Sequence, residues 1–89
     1  MRQIVQTAQF KTDLKKVARS GRHQVNELLK IANTLANDEP LAAKHRDHAL
    51  LGRWEPHREC HIRPDWLLIY KLEPGRLILV RTGSHSDLF

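Results

Sequence analysis

The sequence predicts an α+β domain in which two helices pack on a small, mainly antiparallel sheet, in the order β-α-α-β-β-β. Three observations carry that expectation. Apolar residues recur at helical spacing between positions 7 and 36. Strand-length apolar runs then crowd the second half, broken by Pro56, Pro64 and the Pro74-Gly75 pair. The links between those runs are too short for the crossover that parallel neighbours require, so they close antiparallel pairs.

Ile4 and Val5 mark a short opening strand whose partner the local pattern leaves open. From Thr7 onward, Phe10, Leu14, Val17 and Ala18 fall on one side of a helix, with Lys11, Lys15, Lys16 and Arg19 elsewhere on it. Thr7 can accept from the free amides at its start, and Ser20-Gly21 ends it, because glycine tolerates the positive φ of a C-terminal cap. A second helix is expected from about Arg22 to Ala36, with Val25, Leu28, Leu29, Ala32 and Leu35 as its apolar stripe. The short link makes the two helices antiparallel neighbours.

Residues 37–52 read as a loop. Beyond them Trp54, Arg58, Cys60 and Ile62 share one parity, and Glu55, His57, Glu59 and His61 the other, the alternation of a strand that Pro64 ends. Leu67–Leu72 and Arg76–Thr82 are two further strands joined by a turn at 73–76. With Pro74 and Gly75 as the loop, Leu72 opposes Leu77, Tyr70 opposes Leu79 and Leu68 opposes Arg81. Leu67, Ile69, Ile78 and Val80 then form the aliphatic face for the helices to cover, and Trp66, Tyr70 and Arg81 lie on the other.

With 89 residues the chain has room for a single domain, residues 1–89, and one small core. No apolar run approaches the ~20 residues needed to cross a bilayer, and no signal-peptide pattern opens the chain. The lone Cys60 has no disulfide partner, which fits a cytoplasmic protein standing on packing alone. Fifteen Lys and Arg against ten Asp and Glu leave a net charge of +5, which favours a polyanionic partner. Lys11, Lys15, Lys16 and Arg19 then serve either as a solvated helix face or as a landing surface for a phosphate backbone. Histidines at 45, 48, 57 and 61 with Cys60 match no zinc spacing, and adjacent Cys60 and His61 point to opposite faces of a strand, so no metal site is expected.

The unusual stretch is 44–66, which carries four of the six histidines, and the tail RTGSHSDLF extends it. An RNA chain holds its own nucleophile: removing a proton from a 2′-OH lets it attack the adjacent phosphate while an acid protonates the departing 5′-oxygen. Such chemistry needs a base, an acid and a cation, and no cofactor. His48, His61, Asp65, Arg81 and His85 supply those roles. Histidine suits either proton transfer because its reference pKa is about 6.5. Trp66, Tyr70 and Phe89 can stack on bases, Arg81 offers a planar fork to phosphate, and Lys44 and Arg46 flank the histidines as further substrate contacts.

Each residue also has a plainer reading. His61 can be a solvent-facing strand residue, Asp65 can organise the turn, His85 can belong to a polar tail, and Phe89 can close a hydrophobic edge. Arg81, an unpaired cation ending an aliphatic strand, invites an anionic partner. Trp54 reads as core, whereas His45 and His57 read as surface groups without a role.

The run KHRDHALLGRWEPHRECHIRPDWLLIYKL, followed by LILVRTGSHSDLF, resembles the YafQ branch of the RelE/ParE toxin superfamily. DHxLxGxW, a histidine shortly before PDW, LIY and RTGxHxxLF occur in order, and the likeness extends over nearly the whole chain. It implies a RelE-like, microbial-ribonuclease-type fold and metal-independent cleavage of messenger RNA in the A site of the 70S ribosome. It also implies neutralisation by a cognate antitoxin and a preference for adenine-rich codons. Carried over by motif, His48, His61, Asp65, Arg81 and His85 surround the scissile phosphate, with Phe89 near the same pocket. Asp65 or His48 stands on the 2′-OH side, His85 is the acid, and His61 and Arg81 hold the phosphate. Glu59 and Cys60 have no part in that scheme. A toxin of the same fold directed at DNA gyrase, or a non-catalytic nucleic-acid-binding module, is the alternative, and neither needs an acid–base set.

Overall fold

The computed structural model describes residues 1–89 as β1 (Gln3–Gln6), α1 (Ala8–Ser20), α2 (Val25–Ala36), β2 (His48–Ala49), β3 (Arg58–Arg63), β4 (Trp66–Glu73), β5 (Arg76–Gly83) and α3 (His85–Leu88). Single 3-10 turns stand at Ala43–His45 and Gly52–Trp54. The start of α1 follows from its sequence. The Thr7 hydroxyl accepts from the Phe10 amide at 3.0 Å and donates to the Val80 carbonyl at 2.8 Å, so the cap also pins the helix to β5. Gly21 ends α1 at φ +70°, the left-handed conformation expected of it. α2 begins at Val25, three residues later than its periodicity suggests, because Arg22, His23 and Gln24 form the link. Its buried stripe is Leu28, Ile31, Ala32, Leu35 and Ala36, while Leu29 faces outward.

The sheet runs β1-β5-β4-β3-β2. β1 finds its partner in β5 and pairs with it in parallel, Gln3 beside Arg76 through Gln6 beside Leu79. Both helices lie in the connection between those strands, so the sheet is mixed although its other pairs are antiparallel. The hairpin closes on Pro74-Gly75, with Leu72 opposite Leu77 and Tyr70 opposite Leu79 as expected. A bulge between Ile69 and Tyr70 then shifts the register, so Arg81 faces Ile69 and Leu68 faces Thr82. The 37–52 region is a loop except for its short 3-10 turn and β2, which pairs with Arg58 and Glu59. β3 begins at Arg58, leaving Trp54 and Pro56 in the connection before it.

The helices cover the opposite face of β4 from the one expected. Trp66, Leu68, Tyr70, Leu77 and Leu79, with Cys60 and Ile62, pack beneath Phe10, Val17, Leu28, Ile31, Ala32 and Leu35. Leu67 and Ile69 form a second, smaller cluster on the other face with Leu88, and Leu50, Trp54 and Val80 pack against it. The reason is composition: β4 is apolar on both faces and buried from Trp66 to Tyr70, so alternation alone assigns no inside to it. Trp66 and Tyr70 are therefore core residues, both 0% exposed. The Trp66 indole N–H donates to the Thr82 hydroxyl at 2.9 Å, which in turn donates to the Leu67 carbonyl at 2.7 Å, so the buried polar atom is satisfied.

Candidate active site

The sequence-selected residues collect at one end of the sheet, where β3 finishes, β4 starts and β5 finishes. His61, Leu67 and Gly83 stand side by side across three strands. Two strand spacings separate His61 from Gly83, about 10 Å. Asp65 lies in the turn between β3 and β4, and His85 opens α3 two residues beyond Gly83. His48, on β2, is paired directly with Glu59.

Glu59 organises the first group. It alternates with buried Cys60 on β3 and therefore shares the outer face with His61, yet it is only 6% exposed. Its Oε1 lies 3.5 Å from His48 Nε2 and 3.5 Å from His61 Nε2. The Nδ1–H of His48 donates to the Arg46 carbonyl, which fixes the ring and leaves Nε2 turned toward Glu59. Glu59 thus sits between two histidines in a cluster that sequence reasoning left it out of. The available signal was its two-residue spacing from His61, which places both on one face of a strand.

The loop carrying His48 is itself held from below. The Tyr70 hydroxyl donates to Asp47, and Arg58 Nε donates to the Tyr70 oxygen at 3.3 Å. Burial, reinforced by the Asp47 carboxylate, pushes the Tyr70 phenol well above its ordinary value, so it acts as a neutral donor. The Nδ1–H of His45 donates to the His61 carbonyl at 2.7 Å, tying the same loop to β3, so His45 is a strut and not a free surface group. Lys44 and Arg46 are exposed between these anchors. Burial likewise pushes the Cys60 thiol up to about 12, and no thiolate is available there as a nucleophile.

Arg81 and Asp65 belong to a second group, a polar groove shared with the helices, lined also by Lys16, His23 and Asp87. Arg81 is not unpaired. Its Nε and Nη2 donate to the two oxygens of Asp13 at 2.9 and 3.1 Å, and the Thr82 amide adds a third bond. Burial raises the Asp13 carboxyl, but the hydrogen bonds from Arg81, Gln9 and Thr82 outweigh it and hold the group below its ordinary range. Nη1 of Arg81 remains for another anion. Asp65 meets Arg22 Nη2 at 2.7 Å and lies 3.7 Å from His23 Nε2. His23, remote in sequence, stacks on Trp66 with ring centroids 4.7 Å apart. On α1 the exposed cations are Lys11, Lys15, Lys16 and Arg19, of which Lys16 reaches Asp87 at 3.6 Å.

The tail is a helix and not an open loop. Ser84 caps α3 by accepting from the Asp87 amide at 3.2 Å, while the Asp87 carboxylate accepts from the Ser84 amide at 3.1 Å. A Cβ at position 83 would stand 3.2 Å from Asp87, which is why a glycine precedes this cap. The capped turn leaves His85 exposed and sets its ring 5.1 Å from that of Phe89, which is 50% exposed.

Two helices on a mixed sheet, with histidines, carboxylates and an arginine gathered at one sheet end, are the build of the RelE superfamily of type II toxins. Within it, the chain belongs to the YafQ family: the model of the bacterial YafQ toxin of type II toxin–antitoxin systems matches residues 2–89. It is 39% identical to the mRNA interferase toxin YafQ of Escherichia coli K12, over 99% of this chain and 96% of that one. Among solved structures, a metal-bound toxin from Helicobacter pylori superposes with a TM-score of 0.94 at 42% identity, each chain fully covered. YafQ in the Escherichia coli DinJ–YafQ complex superposes with a TM-score of 0.87 at 39% identity, covering 100% of this chain and 99% of that one.

Proposed function

We propose that the chain is an endoribonuclease that cuts messenger RNA in the ribosomal A site and is neutralised by a cognate antitoxin. The observation that carries the reading is the pairing of His48 and His61 on buried Glu59, at the sheet end where His85 stands exposed across β4. It supplies two separated proton-transfer positions on one sheet end. The kinship with an mRNA interferase and the resemblance to a toxin solved with its antitoxin support the same conclusion.

In this mechanism Nε2 of His48 takes the 2′-OH proton, and the oxygen attacks the neighbouring phosphorus. Glu59 balances the charge that the ring gains. His85 gives a proton to the departing 5′-oxygen, leaving a 2′,3′-cyclic phosphate and a 5′-hydroxyl. Arg81, through Nη1, and His61 steady the negative charge that builds on the phosphate. Asp65, engaged by Arg22 at 2.7 Å, is better placed to position the turn and His23 than to abstract the proton. Trp66 and Tyr70 support the site from the core and have no ring face open for a base. Phe89 keeps that capacity.

The ribosome supplies what a shallow surface lacks: it holds the codon extended against the sheet end, converting encounter into a fixed geometry. Lys11, Lys15 and Arg19 on α1, with Lys44 and Arg46, meet its phosphates. An antitoxin that covers these cations or the sheet end blocks access. A metal accompanies the Helicobacter pylori relative. The route above is complete with protein acids and bases and calls on no metal. The deciding experiment is end-group analysis of messages cut on programmed ribosomes, with and without a transition-metal chelator. A 2′,3′-cyclic phosphate formed at the same rate in both is expected. A 5′-phosphate product, or loss of cleavage in the chelator, overturns the mechanism.

A further inference from the structure

Next to the acid of that mechanism, the outer face carries a row of rings, of which Trp54 and His57 take no part in its steps. Trp54 and His57 meet edge to face at 5.7 Å, Trp54 and Phe89 at 5.9 Å, and Phe89 leads on to His85 at 5.1 Å. Arg53, Trp54, His57, Val80, Leu88 and Phe89 line an open groove along this row. We infer that the groove is a nucleobase subsite, holding a base of the message beside the phosphate that His85 serves. The inference rests on the reading of the chain as a messenger-cutting toxin.

Four features select a base as the occupant. The walls offer aromatic and aliphatic faces, which single-stranded nucleic acid uses for stacking whatever its sequence. The polar side chains are Arg53 and His57, and no Asp or Glu lines the groove, so the side-chain walls do not repel a phosphate backbone. The ring edges retain hydrogen-bonding capacity. His57 spends Nδ1–H on the Trp54 carbonyl at 2.7 Å and keeps Nε2 free. The Trp54 indole N–H donates to no group of the chain and, since no buried side-chain nitrogen lacks a partner, it is open to solvent. Finally, the row is continuous with His85, so a base held there is tethered within reach of the proposed acid.

The groove is also built and not incidental. The His57 amide donates to the same Trp54 carbonyl, and the Glu55 amide donates to Gly52, so the 52–57 turn is braced by its own backbone. Trp54 rests on the Leu67, Ile69 and Leu88 cluster, which presents its ring from below. Sequence reading assigned Trp54 to the core and gave His57 no role; the fold makes both part of one surface.

Trp54 and buried Trp66 are the only tryptophans, so emission reports the groove directly and without cleavage. The probe is a short adenine-rich single-stranded oligonucleotide with a 2′-deoxy sugar at the cut position, titrated against the chain, alongside copies made abasic at one position each. Saturable quenching is expected, weakened roughly ten-fold or more by one abasic position, the scale of a lost base–aromatic stack. Trp54→Leu, followed by the anisotropy of a labelled oligonucleotide because the reporting indole is gone, should bind it roughly ten-fold or more weakly and raise KM on programmed ribosomes by a similar factor, with kcat within about two-fold. Arg53→Ala, at an exposed residue with no ion pair, should cost a few-fold in affinity without touching the fold. Equal affinity for every abasic copy, or an unchanged KM in folded Trp54→Leu, overturns the inference. Weakened antitoxin capture by Trp54→Leu, with oligonucleotide affinity intact, overturns it too and makes the groove a protein-docking surface. Quenching by a chain that never cuts RNA would leave the subsite standing and remove the ribonuclease reading.

Discussion

Asp13 and Glu59 are both buried carboxylates, 8% and 6% exposed, and both serve basic partners, but they hold them differently. Asp13 grips Arg81 through two bonds of 2.9 and 3.1 Å and takes a third from the Thr82 amide. Its partner is a permanent cation, so the pair clamps α1 to the end of β5 at every working pH. Glu59 faces two imidazoles at 3.5 Å, beyond the length of a tight charge-assisted bond. Its partners are imidazoles, whose ring nitrogens can either give or take a proton, so this contact leaves them able to move one. A buried carboxylate that saturates a guanidinium locks its partner in place; one shared loosely between histidines leaves their ring nitrogens room for another partner.

The comparison is broken most severely from outside both pairs. If His85 gives the leaving-group proton, His85→Ala should lower kcat by roughly 10²–10⁴ in single-turnover cleavage on programmed ribosomes, with ribosome binding nearly unchanged. Wild-type cleavage by this variant would remove His85 from the chemistry. Glu59→Gln keeps the shape and deletes the charge that His48 and His61 share. Its expected cost is roughly 10–100-fold in kcat, because the ring that accepts the 2′-OH proton loses the carboxylate that balances its charge. An unchanged kcat would reduce Glu59 to packing.

Asp13→Asn tests the structural half. It weakens the clamp on Arg81, and a loss of about 1–3 kcal/mol in denaturant unfolding is expected. The pH dependence has a definite sign. The Asp13 carboxyl lies below its ordinary value in the folded chain, so its contribution is full above the unfolded pKa of about 3.9 and is lost as pH falls through the folded value. Asp13→Asn should flatten the acid limb of melting temperature against pH and leave the neutral profile parallel to that of the unaltered chain. The smallest effect belongs to Arg22→Ala. Its ion pair with Asp65 is exposed at both ends and worth at most about 1 kcal/mol, so the melting temperature should scarcely change. A cleavage defect larger than about three-fold in that variant would show that Asp65 acts through its charge at the phosphate.

The candidate residues could be chosen in sequence because they are chemically conspicuous, whereas their partners could not. His48, His61 and His85 stand out by type, but Glu59 looked incidental until β2 brought His48 opposite it. Asp13 sits among lysines on α1, and its bond to Arg81 spans 68 positions. Trp66 and Tyr70 looked like ligand contacts because aromatics serve both cores and surfaces, and only burial separates the two uses.

What the sequence determined alone is what neighbouring residues decide among themselves. The Thr7 cap, the Gly21 stop, the Pro74-Gly75 hairpin with its first pairs, and the alternation of Glu59 and His61 against Cys60 and Ile62 all rest on local geometry. The tertiary structure decided which face of β4 the helices cover, because both faces are apolar and the bulge at Ile69–Tyr70 resets the register toward Arg81. It also decided the parallel seat of β1 beside β5, since backbone pairing across more than seventy positions leaves no trace in side-chain pattern. Local conformation is dictated by a residue and its near neighbours; long-range contact depends on which surfaces meet when the whole chain packs.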